Sequence, residues 1–159
     1  MKTKTIVGIT IGVLICLFIS AFFVTPLINN VVLNRFSTQI EDIKLPNHTS
    51  ILNINSICGK LTGNGNGMDF LSCALIKSEL SLLELQQFFS NIKFKNAKKS
   101  RYSVNVDVVK TNSYKLNSMY LEHGELVFNC IKNESSYDNL YYVVISDSGY
   151  PTFFDLRGH

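Results

Sequence analysis

The chain has 159 residues, 46% of them hydrophobic and 17% charged, with nine glycines and three prolines. That is one folded domain plus at most an appendage, and it excludes a collagen-like or a long disordered chain. The net charge of +3 comes from the N-terminal region, because all twelve acids lie at or after Glu41 while Lys2, Lys4 and Arg35 precede it. The remainder is neutral, so it lacks the broad positive field that would hold nucleic acid, and no nucleic-acid partner is expected.

From Ile6 to Ile28 there are twenty-three residues without a charge. A helix of that length, at about 1.5 Å per residue, crosses a hydrocarbon core of about 30 Å. A cleaved signal peptide has an apolar core of about 7–15 residues and a small-x-small site. Here Phe22 and Phe23 follow Ser20 and Ala21 and the apolar run continues, which favours an uncleaved anchor. Leu14 and Ile15 before Cys16 exclude a lipoprotein site. Lys2 and Lys4 precede the span and only Arg35 soon follows it, so the positive-inside rule leaves residues 1–5 in the cytoplasm and the C-terminus outside. Pro26 falls near the outer end, where a kink is tolerated. Residues 29–45 keep an amphipathic pattern and read as a helical stalk ending before Pro46, with an extracytoplasmic domain over 46–159.

In that domain, Ile51 to Leu61 begins in strand alternation, and Ile57 breaks the phase, which predicts a bulge. Residues Thr62-Gly63-Asn64-Gly65-Asn66-Gly67 then lead into Met68 to Ile76, so the two runs read as a β-hairpin. The second run is apolar on both faces, with Phe70, Ala74 and Ile76 against Leu71, Cys73 and Leu75, which marks a central strand. Ser81-Leu82-Leu83-Glu84 is a capping box that opens a helix carrying Leu82, Leu85, Phe89 and Ile92 on its core side. Strands are expected from Tyr102 to Val108, Glu125 to Ile131, Leu140 to Ser146 and Thr152 to Leu156, with turns at 122–125 and 147–150. The class is α+β: a mostly antiparallel sheet packed on one main helix, preceded by a transmembrane helix.

Cys58, Cys73 and Cys130 lie in the outer domain in no metal-type spacing. They read as buried thiols in strands; if one disulfide forms, Cys58 and Cys73 on neighbouring hairpin strands are the best pair. His48, His123 and His159 stand at no zinc spacing, and no metal or cofactor motif is present. The Gly63–Gly67 loop admits two readings. It is a turn needing positive φ, with Gly65 the position most exposed to that need, or it is a donor-rich nest for an anionic or oxygenated ligand. In the second reading Gly63, Asn64, Gly65, Asn66 and Gly67 form a ligand site with Arg157 and His159 if the last strand ends nearby. Lys93, Lys95, Lys98, Lys99 and Arg101 form a basic run without an acid, either a solvated stretch after a helix or a contact for anionic headgroups or wall polymers. No serine or cysteine has a nucleophile setting, and His123 beside Glu122 or His159 near Asp155 is the only base-and-orienter pattern.

Cys58-Gly59-Lys60-Leu61, Gly63 through Phe70, Leu75-Ile76-Lys77-Ser78, Tyr120-Leu121-Glu122-His123-Gly124 and Asp155-Leu156-Arg157-Gly158-His159 together resemble a family of small uncharacterised membrane-anchored proteins of Gram-positive bacteria. The resemblance implies an N-terminal span and a small outer domain. It transfers no catalytic residue. The expected role is a membrane-tethered binding or accessory domain, whose partners are the bilayer through residues 6–28 and an envelope polymer or protein. A cell-envelope hydrolase and a structural subunit of a membrane complex are the competing expectations.

Overall fold

The computed structural model describes residues 2–100, 102–116 and 118–159, with the side chains of 2–5 outside that set. The elements in chain order are α1 (Lys2–Glu41), β1 (Thr49–Gly59), β2 (Met68–Ser78), α2 (Leu82–Ser90), β3 (Asn105–Lys110) and β4 (Leu140–Tyr150), with 3-10 turns at Asn129–Ile131 and Leu156–Gly158. The strands form one antiparallel sheet in the order β1-β2-β4-β3. The fold is α+β.

One helix accounts for both the apolar run and the residues after it. Over Ile6 to Ile19 the side chains of α1 are exposed. Among the described residues it is the helix long and apolar enough to cross a membrane. Further along, Asn29, Leu33, Phe36 and Ile40 are buried at helical spacing. Leu33, Phe36 and Ile40 share a core cluster with Met68, Phe70, Ala74 and Ile76 of β2, and Ser37 Oγ lies 3.0 Å from Ser72 Oγ. The expected stalk is therefore not a separate element. Its amphipathic face is satisfied by the molecule's own sheet, so the end of α1 joins α2 on that face of the sheet.

Ser81 caps α2 as the motif predicts: Glu84 N–H donates to Ser81 Oγ at 3.3 Å and Ser81 N–H donates to Glu84 Oε2 at 2.8 Å. Leu85 and Phe89 are its buried residues. β2 and β4 occupy the centre of the sheet and are buried on both faces. Phe70, Ala74 and Ile76 join the helical layer, while Leu71, Cys73 and Leu75 join a second cluster with Leu116, Leu121, Leu126, Phe128 and Ile131. That second layer is the long β3–β4 connection.

Several expected strands become something else. The Glu125–Ile131 strand reduces to a single bridge between Lys115 and Val127, followed by a 3-10 turn. Leu126 and Phe128 still plug the core in alternation, but the Asn55 side chain takes the Val127 carbonyl at 2.7 Å, where a ladder would need backbone. The Thr152–Leu156 segment is a turn leading into the last 3-10 helix, with Asp155 N–H donating to Thr152 O at 3.0 Å. Residues 147–150 belong to β4 and not to a turn; one extra residue opposite Asp69 makes them a bulge. The β1 irregularity falls between Ile51 and Asn53, not at Ile57. The strand expected from Tyr102 begins at Asn105.

Cys58 and Cys73 are free and buried. Cys58 lies opposite Phe70 in the helical layer, whereas Cys73 lies opposite Asn55 in the other layer. Side chains three register positions apart point to opposite faces of a sheet, so this pair cannot be bridged.

Candidate functional site

The polar chemistry of the molecule concentrates where α1 passes from exposed to buried. Asn29 is 1% exposed, although it follows the uncharged run directly. Its side-chain amide donates to Asp155 Oδ2 at 2.7 Å, and its Oδ1 accepts from Lys98 Nζ at 2.7 Å. Asp155, wholly buried, also receives a two-toothed contact from Arg157, with Nε to Oδ1 at 2.9 Å and Nη2 to Oδ2 at 2.7 Å. Arg157 then reaches α1 itself, donating to Asn30 Oδ1 at 2.8 Å and to the Pro26 carbonyl at 3.2 Å. Lys98 sits over the rings of Phe70 and Tyr150, 5.3 and 5.9 Å from their centroids.

The electrostatics follow from this packing. Burial pushes the Asp155 carboxyl up, but the hydrogen bonds from Arg157 and Asn29 outweigh it and hold the group down at about 2. Burial lowers the Lys98 ammonium, partly offset by Cys58 and Asp155. The Tyr150 hydroxyl is raised to about 12, first by burial and then by its bond to Asp147 at 2.5 Å.

Just beyond this cluster a groove of about 450 Å³ opens between α1 and the end of β1. Its walls include Leu33, Ile57, Cys58 and Leu61, with His123 and Arg157 at the side. Burial raises the Cys58 thiol, with Arg157 pulling the other way. The groove is mostly apolar with cationic residues, Lys60 and Arg157, along it.

The residues singled out in the sequence divide between contact and separation. Gly67 N–H donates to Gly158 O at 2.9 Å and Lys60 N–H to Arg157 O at 2.7 Å, so the Gly63–Gly67 loop and the C-terminal turn meet through backbone. Gly63 N–H donates to Glu122 Oε2 at 2.8 Å, and His123 Nε2 lies 3.2 Å from Gly63 O. Two donors of the supposed nest thus have acceptors inside the protein. Gly63 carries the positive φ of +71°, not Gly65, while Asn64, Gly65 and Asn66 are exposed. The Arg157 guanidinium points to α1 rather than to the loop, and the His159 ring is 3.0 Å from Thr152 Oγ1. Glu122 and His123 thus meet at Gly63, whereas Asp155 engages Arg157 and Asn29.

Within the basic run, Lys93, Lys95 and Lys99 are exposed and Lys98 turns inward; Arg101 lies outside the described residues. The run extends along α1, with Lys95 N–H donating to Gln39 Oε1 at 2.7 Å. Asn29 is not singled out by the sequence reading, and Lys98 enters it only as a member of the basic run, not as a partner of Asn29. The available signal was the phase of Asn29, which shares a helical face with Leu33, Phe36 and Ile40. Comparison with family models, curated proteins and solved structures gives no match.

Proposed function

We propose that this is a single-pass membrane protein that holds a small α+β domain against the outer surface of the bilayer as a binding or accessory module. The observation carrying this reading is the division of α1. Its first part offers a bilayer-length run of exposed apolar side chains, and its last part completes the core of the domain. A soluble domain leaves no such run in water. The groove beside Leu33 and Cys58 opens on the domain just beyond this junction and is the place where a partner with an apolar part would bind.

Cys130 tests the topology. It is the exposed cysteine of the domain, whereas Cys58 and Cys73 are buried, with burial pushing both thiols up. A membrane-impermeant maleimide should label the protein on intact cells, and Cys130→Ser should abolish that labelling. The protein should also stay in the membrane fraction at alkaline pH. Labelling that appears only after lysis places the domain inside and overturns the reading.

A further inference from the structure

We infer that the turn Thr152–Leu156 dips into the outer leaflet beside the span, making a second, wedge-like contact between the domain and the lipid. This rests on the reading of α1 as a membrane span.

Phe154 leaves the domain and packs edge-on against two rings of α1, with centroids 5.5 Å from Phe18 and 5.0 Å from Phe22. Both partners belong to the uncharged run. They lie ten and six residues before Ile28, which is about 15 and 9 Å along the helix. The turn therefore descends along the span to hydrocarbon depth. Its neighbours are apolar and open: Phe153 is 69% exposed and Leu156 is 70% exposed. Phe153 adopts φ +48°, a conformation that an L side chain rarely takes, and the turn keeps its ring uncovered.

The turn closes part of its own backbone internally, which lowers the cost of meeting lipid. Asp155 N–H donates to Thr152 O, and Gly158 N–H donates to Asp155 O at 3.2 Å. The one charge in the turn, Asp155, is buried and neutralised by Arg157 with help from Asn29. The exposed apolar surface is continuous with the lipid-facing surface of α1 through Phe154. Lipid is thus the occupant that fits without any further partner.

The chain contains no tryptophan, so one introduced residue reports alone. Phe153→Trp and Leu156→Trp would be made in the full chain and reconstituted into vesicles of lipids brominated at different acyl depths. Leu17→Trp reports the span, and Leu83→Trp on α2 reports the far end of the domain. Blue-shifted emission and quenching at 153 and 156, strongest with shallow bromine, is the expected result, with Leu83→Trp unquenched. Quenching at Leu17→Trp alone overturns the wedge and leaves the span intact. Quenching at none of the four overturns the span reading and the wedge with it. Emission at 153 that is blue-shifted but unquenched, and that reverts on diluting protein in lipid, places a second copy on this surface and also overturns the wedge.

Discussion

Asn29 joins the acidic and basic halves of the junction through one amide. It gives its N–H to Asp155 and accepts from Lys98, while Arg157 closes the other side of the carboxylate. Removing it leaves the half-buried Lys98 ammonium without that acceptor and the buried Asp155 carboxylate with Arg157 alone, which destabilises the junction. The groups facing Asp155 are Arg157, Asn29 and, at longer range, Lys98 and Cys58. Because the folded carboxyl sits at about 2 and an unfolded aspartate near its usual value of about 3.9, acidification protonates the unfolded chain first. The stabilisation is thus complete above that value and is lost as the pH falls towards 2. Denaturant unfolding of the full chain in detergent should show Asp155→Asn less stable than wild type by about 1–2 kcal/mol at neutral pH, the exposed flank of Arg157 weakening the pair. The difference should shrink as the pH falls below about 4. A constant gap across that range would mean that the Asp155 carboxylate adds nothing through its charge.

The elements that could be read from sequence are those whose pattern is local. The capping box at Ser81 needs only four residues, and the two-faced apolar run of β2 needs only its own alternation. The failures came where a distant group decides. Leu126 and Phe128 alternate like a strand, yet the Asn55 side chain on β1 takes the carbonyl that pairing would use. The amphipathic face after Pro26 was visible, but not that its partner was the molecule's own β2. In the candidate site, the backbone meeting of the Gly63–Gly67 loop with Arg157-Gly158 depends on sheet order, which a single sequence does not carry. Which glycine matters follows from that meeting. A Cβ at Gly158 would lie 2.3 Å from Thr152 Cγ2 and 2.9 Å from the Gly67 carbonyl, whereas one at Gly65 meets nothing within 4 Å. Gly158→Ala should destabilise the fold by more than about 1 kcal/mol through this clash, while Gly65→Ala should be silent or slightly stabilising. Melting curves of the two variants, side by side, would decide it; equal shifts would contradict the close approach.

At the scale of the whole molecule, α1 carries a proline inside it at the boundary between its two environments. A proline there removes one helix hydrogen bond and invites a bend. The C-terminal segment holds the helix on both sides of this point: Phe154 grips Phe18 and Phe22 before it, and Asp155 and Arg157 grip Asn29 and Asn30 after it. Arg157 also binds the Pro26 carbonyl directly. A splinted joint does not swivel. On the proposed reading of α1 as a membrane span, its twenty-three uncharged residues would relieve an excess length over a thinner bilayer by leaning, since bending at the joint is blocked. The domain then leans with it, as an arm fixed to its shaft. Energy transfer from a dye on Cys130 to acceptors in the headgroup plane should therefore change steadily as the lipid acyl chains are shortened, and Phe154→Ala with Arg157→Ala should flatten the response. On the proposed topology bilayer thickness would become an angle of the domain, and the groove beside Leu33 would be presented at whatever height the lipid dictates.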